Sequence, residues 1–190
     1  MNKKRILQLV ECAMLVAVAV VIDLIPFPKW PQGGSVSLCM IPIVFCAYRN
    51  GLLWGLASGF VLSAIQMVMG FYLPPAKDFL SIALCVLLDY VLAFTLLGSA
   101  EFFRKLCGKF RTVGYIAGTV AAGLIRYLCS FLSGILIWGS YAPEGTPVWI
   151  YSLTYNGSYM IPNTIIAALV IALLCRFIDP LTLRSVKKTA

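Results

Sequence analysis

The chain has no histidine anywhere in its 190 residues. That removes the usual residue of acid–base catalysis near neutral pH and a principal zinc ligand. Charge is scarce too, since Asp, Glu, Lys and Arg together make up only 12% of the chain. The seven cysteines form no C-x-x-C pair and lie mostly in apolar runs, so they read as small buried hydrophobes. No phosphate-binding G-x-x-x-x-G-K-[ST] loop is present; the partial match "CGKF" lacks the earlier glycine and the Ser/Thr. A G-x-S-x-G elbow, an H-E-x-x-H pair and an acidic pair for phosphoryl transfer are also missing. Serine–lysine chemistry stays open, although the lysines sit almost entirely in loops. If this chain takes part in transport, another protein must hydrolyse the nucleotide, or an ion must drive the process.

What is abundant is apolar surface. Hydrophobic residues make up 61% of the chain, against about 45–50% in ordinary soluble domains, and the mean hydropathy is +0.94. Repeated runs near membrane-spanning length imply an all-α integral membrane protein in a lipid bilayer, with residues 1–190 forming one transmembrane domain. The net charge of +8 comes from basic residues placed between those runs, the pattern of flanked membrane helices rather than of nucleic-acid binding. No signal-peptide cleavage pattern follows the first run, so it is expected to stay as a helix.

Six spans are expected, at Ile6–Ile25, Val36–Tyr48, Leu52–Tyr72, Phe79–Phe103, Val113–Trp138 and Val148–Ile178. The second has only 13 residues and reads equally as a tilted or partly buried helix. With six spans, twelve basic residues fall on the side of the N-terminal "MNKKR", the "RNG" turn, "RKLCGKFR" and the tail from Arg176. Only Lys29 and Lys77 fall on the other side, which puts both termini in the cytoplasm. The outer connections "PFPKWPQGGS", "YLPPAKD" and "GSYAPEG" are rich in proline, glycine and aromatics. Such turns suit either a shaped lid over a pocket or an interfacial aromatic belt.

Ionisable residues inside spans are costly, which directs attention to Asp89 and Arg126. Counted from the outer helix ends, both lie roughly 15–18 Å deep at the rise of a regular helix. Either they pair with one another, or Asp89 faces a pocket and meets a ligand. Glu11 and Asp23 lie nearer the ends of the first span, where snorkelling or capping accounts for them. A carboxylate, aromatic faces and the amide of Asn156 would together suit a flat nitrogen heterocycle with an amino group or a positive charge. On the first span, Ala13 and Ala17 are four apart with Ala19 beside them, a spacing that permits close helix approach in lipid, by default within the bundle itself and otherwise to a partner.

"SGILIWGSYAPEG" followed by "YSLTYNGSYMIP" resembles the signature of the thiamin-specific substrate-binding subunits (the ThiT family) of energy-coupling factor transporters. "GGSVSLCMIPI", "YRNGLLWGLASGF" and "LLDYVLAFTLLG" are similar to that family's first outer loop and second to fourth helices, so the likeness runs from about Ile6 to Ile178. It implies a six-helix bundle in a prokaryotic cell membrane that binds thiamin from outside and has no enzymatic activity or cofactor of its own. It further implies assembly with a transmembrane coupling subunit, EcfT, and two ATPase subunits, with Ala13 and Ala17 at the docking face. By motif, Asp89 stands where the family has an acidic residue, often glutamate, that contacts the aminopyrimidine, and Tyr90 follows it. Trp138 matches the stacking tryptophan, while Tyr151 and Asn156 match the tyrosine and asparagine of "Y-S-x-x-x-N". Trp30 matches a first-loop aromatic. Ser130 departs from the pattern, because some members have histidine there. In the third loop the contact falls to Tyr72, Phe79 or neither. A binding subunit for another vitamin or a thiamin precursor is the nearest alternative. A small membrane enzyme or assembly factor using Asp89 and Arg126 is the alternative from another class.

Overall fold

The computed structural model describes residues 2–27, 30–107 and 111–182, the side chain of Arg111 excepted. Lys29, Lys109, Arg184, Lys187 and Lys188, all counted in the charge asymmetry, lie outside the described residues, as does most of the partial phosphate-loop match. The regular structure is helical: α1 (Lys3–Asp23), α2 (Met40–Asn50), α3 (Leu52–Met69), a composite α4 (Phe79–Leu106), α5 (Arg111–Leu136) and α6 (Val148–Phe177). Five of these, all except α2, contain segments long and apolar enough to cross a membrane.

Their outward faces carry large apolar side chains that a soluble protein would bury, among them Leu53, Val68 and Phe79, which are 78%, 90% and 88% exposed. In lipid such faces carry no penalty, and a helix satisfies its backbone internally. Close approach comes from small residues. A Cβ on Gly55 would lie 3.0 Å from the Cα of Gly98, so α3 and α4 touch backbone to backbone there. Away from the outer loops, Tyr48 and Tyr115 lock α2 to α5 edge to face at 4.8 Å, and the Tyr48 hydroxyl donates to the Tyr115 carbonyl at 2.7 Å.

The second expected span is the one the structure revises. Its helix covers Met40–Asn50, 11 residues of which eight are buried, or about 16 Å of rise against a ~30 Å hydrocarbon core. The preceding residues stay extended because Asn163 of α6 occupies their backbone. Its Oδ1 accepts from the Ser37 N–H at 2.8 Å, and its Nδ2 donates to the Ser35 carbonyl at 3.0 Å. Asn163 is 1% exposed, so these bonds are made where no water competes. A tight turn through Gly51 (φ 94°) then sends the chain back as α3.

Helix α4 begins at a cap in which the Asp78 carboxylate accepts from the Ser81 N–H at 3.1 Å. Hydrogen bonding from Ser81 holds the Asp78 carboxyl below its ordinary pKa. The helix then widens into a π-helical segment over Val86–Leu92 and tightens into a 3₁₀ turn over Leu96–Ser99. Single π turns inside α-helices are rare and concentrate at functional sites. Asp89 is the middle residue of this one.

Candidate functional site

A cavity of about 620 Å³ lies among α1, α3, α4, α5 and α6, roofed by the outer loops that precede α2 and α4. Its size suits a small organic molecule. Of the residues expected at the site, Asp89, Tyr90, Trp138, Tyr151, Asn156, Tyr72 and Ser130 line it; Trp30 does not.

Asp89 is the chemical centre. Its Oδ2 accepts from the Ser133 hydroxyl at 2.6 Å and from the Trp138 indole Nε1–H at 3.1 Å, with the Cys85 thiol at 3.6 Å. The carboxylate is thus oriented by three donors on one oxygen, and among the described residues no hydrogen bond to Oδ1 accompanies them. Asp89 and Trp138 are hydrogen-bonded neighbours just beyond the C-terminal end of α5. The Trp138 ring stacks against Tyr141 at 6.1 Å, and the Tyr151 ring lies 5.5 Å from Tyr155. The wall therefore combines aromatic faces with an anionic acceptor.

Of the two readings of Asp89, the pairing with Arg126 is absent: among the described residues no carboxylate lies within 4.0 Å of Arg126. The reason is register on α5. Ser133, which holds Asp89, is seven residues beyond Arg126, about 10 Å along the helix. Arg126 sits deeper, its guanidinium carbon 4.4 Å from the centre of the Phe94 ring.

Asn156 is more committed to the scaffold than its residue type suggests. Its Nδ2 donates to the carbonyls of Ser130 and Ser152 at 3.1 and 3.0 Å, and its Oδ1 accepts from the Tyr159 hydroxyl at 2.6 Å. It ties α6 to α5 and positions Tyr159. Trp30 is likewise indirect, packing on Tyr159 at 5.7 Å. In the third loop Tyr72 faces the cavity, whereas Phe79 is 88% exposed.

Two tyrosines fasten the roof. Tyr155 accepts from the Gln32 N–H at 2.9 Å and donates to the Gly33 carbonyl at 3.0 Å, holding the first loop. Tyr90 accepts from the Tyr72 N–H at 2.9 Å and donates to the Gly70 carbonyl at 3.2 Å, holding the third. Gly34 fits beneath this roof only as glycine. Its φ is +87°, and an added Cβ would meet the Tyr159 ring at 2.5 Å. Gly34→Ala is therefore expected to displace the first loop and weaken ligand binding by about tenfold or more, the equivalent of roughly 1–3 kcal/mol of overpacking strain. Titration of the purified variant checks this; unchanged affinity would mean the loop is not part of the site.

Sequence reasoning missed Asp23, Gln66, Ser133, Tyr155 and Tyr159. Snorkelling or capping accounts for Asp23 from its place near the end of the first span, yet it lines the cavity. Its Oδ2 accepts from Gln66 Nε2 at 2.8 Å, and its Oδ1 accepts from the Ser37 hydroxyl. It joins α1, α3 and the extended segment before α2. A usable signal existed on α5, where Arg126, Ser130 and Ser133 recur at i, i+4 and i+7 on one face.

Comparison with known proteins fits this geometry. The profile of the family described as "Thiamine transporter protein (Thia_YuaJ)" matches residues 9–183. The thiamine transporter ThiT of Bacillus subtilis (strain 168) is 38% identical over 184 residues, covering 91% of this chain and 92% of the relative. That of Lacticaseibacillus paracasei is 30% identical over 184 residues, covering 90% and 88%. The solved structure of ThiT from Listeria monocytogenes superposes with a TM-score of 0.75 at 26% identity, covering 90% of this chain and 94% of that one. A solved S component of a bacterial ECF transporter has the same fold, with a TM-score of 0.63 at 18% identity and coverage of 90% and 95%. With a family profile spanning nearly its whole length behind a cavity built around Asp89, the chain belongs to the thiamine transporter family.

Proposed function

We propose that this protein is the thiamin-binding subunit of an energy-coupling factor transporter, a membrane carrier rather than a catalyst. The observation that carries the reading is the convergence of Asp89, Trp138, Tyr151 and Tyr72 on one roofed cavity. Thiamin joins an aminopyrimidine to a positively charged thiazolium. Asp89 accepts from the amino group and attracts the cation, and the faces of Trp138 and Tyr151 take the rings by stacking and cation–π contact. Ser130 lines the same wall at the position where the family resemblance implies an imidazole in some members, leaving the ring contact to the tryptophan and tyrosines.

The chain forms one domain with six crossings and both termini cytoplasmic. Helix α2 and the extended residues before it make the second crossing together, buried inside the bundle. The roof then faces outward, and the ion pair between Arg49 and Glu11 (3.1 Å) faces the cytoplasm with the basic flanks. A chain without a phosphate loop needs partners for energy, namely the coupling subunit EcfT and two ATPases. Ala13 and Ala17 lie exposed on α1 as the docking face, while Ala19 is fully buried.

Purified protein is expected to bind thiamin without ATP and to lose tryptophan fluorescence on binding, because Trp138 lies in the wall. Trp138→Phe should remove most of the quench. Saturating thiamin that leaves the wild-type emission unchanged would overturn the assignment.

A further inference from the structure

Cys12 of α1 and Cys46 of α2 meet inside the bundle, their sulfurs 3.0 Å apart. Carbon atoms in non-bonded contact stay about 3.5–4.0 Å apart, and sulfur is the larger atom. A disulfide needs about 2.0 Å between its sulfurs, so roughly 1 Å of closure separates this pair from a covalent bond. Both are free thiols, and neither lines the ligand cavity.

Polar contacts fix the meeting point. Arg49 of α2 grips Glu11, the residue before Cys12, through its Nε at 3.2 Å and its Nη2 at 3.1 Å. That two-pronged pair holds α1 and α2 in register beside the sulfurs. On α3 the Ser58 hydroxyl lies 3.2 Å from the Cys46 sulfur. Cys12 is 6% exposed and Cys46 has no exposed surface, so a small uncharged oxidant meets Cys12 first.

We propose that Cys12 and Cys46 form an oxidation site, which a peroxide converts from a dithiol into a disulfide that staples α1 to α2. With hydrogen peroxide, the Cys12 sulfur attacks one oxygen, the O–O bond breaks and one water leaves, giving a sulfenic acid at Cys12. The Cys46 sulfur then displaces the hydroxyl from Cys12. The S–S bond forms, and the Cys46 proton leaves with that hydroxyl as a second water. Two thiols are oxidised and one peroxide is reduced. The staple acts on the least buried of the five membrane-length helices and closes a loop across 34 residues of sequence, so the oxidised protein is the more stable form. It fixes the helix that carries Ala13 and Ala17 and leaves the ligand cavity untouched.

The test treats purified wild type, Cys12→Ser and Cys46→Ser with hydrogen peroxide, blocks the remaining thiols with N-ethylmaleimide after denaturation, and reads the peptide masses. Wild type should give a linked Cys12–Cys46 peptide that dithiothreitol cleaves. Its thermal midpoint should rise by several degrees on oxidation and fall back on reduction. Cys46→Ser has no second thiol to condense, so it should hold a sulfenic acid at Cys12 that dimedone captures. In Cys12→Ser, Cys46 should stay a thiol. Should either serine variant fail to fold, the wild-type peptide map still decides. Wild type in which Cys12 and Cys46 both take up the maleimide after peroxide would overturn the site, even if the exposed Cys107 joins two molecules. A linked peptide with an unchanged thermal midpoint would overturn the staple.

Discussion

Asp89→Asn should weaken thiamin binding by roughly 10- to 150-fold while the protein still folds. A hydrogen bond to a charged group is worth about 1.5–3 kcal/mol, which converts to that range. Asparagine keeps the shape of the side chain, and its carbonyl can still accept from Ser133 and Trp138, which lie at 2.6 and 3.1 Å. What it loses is the negative charge and one acceptor oxygen facing the ligand. Because Arg126 makes no ion pair with Asp89, removing the charge strands no buried cation, and the thermal midpoint should move little. A double mutant with Arg126→Gln should therefore show no rescue of stability. Near-native affinity in Asp89→Asn would take the residue out of the site. A large stability loss restored in the double mutant would reinstate the pairing that the structure lacks.

The second large effect is expected far from the cavity. Ala13→Trp or Ala17→Trp should impair thiamin uptake by the assembled transporter and leave binding by the isolated subunit near wild type. Both alanines are exposed on α1, so an indole there meets lipid in the free subunit and costs nothing in packing. At a close helix–helix contact the same indole overfills the interface by about 1–3 kcal/mol, or roughly 5- to 150-fold in docking. Uptake in cells and binding by purified subunit, measured on the same variants, separate the two. Unimpaired uptake would place the docking face elsewhere. Ala19, with no exposed surface, is the contrast: a bulky residue there should damage the bundle itself.

The membrane helices were legible from hydropathy because every lipid-facing position must be apolar whatever the fold. The tally of spans was less so, since α2 is buried among other helices and joins an extended segment that hydropathy cannot tell from helix. Asn163, distant in sequence, holds that segment open together with Asp23. Asp89 was recognisable because a carboxylate inside a span is costly, whereas Trp138 and Tyr151 were separated from an interfacial aromatic belt only by the family resemblance. Asp23 was not, because a carboxylate near a helix end has an ordinary explanation, and only the fold brings Gln66 and Ser37 to it. The alternative that paired Asp89 with Arg126 fails for a related reason. Equal depth counted from helix ends says nothing of register, and the π-helical stretch over Val86–Leu92 alters the rise on one of the two helices. Asn156 lines the cavity, but its amide is already spent on Ser130, Ser152 and Tyr159.

The central claim is that this subunit alone captures thiamin through Asp89. Titrating thiamin into purified wild type and Asp89→Asn by calorimetry, with no nucleotide and no partner subunit present, tests it most directly. The account predicts one saturable site in the wild type and a loss of roughly 10- to 150-fold in the variant. Absence of heat in the wild type, or identical isotherms for the two proteins, would contradict it.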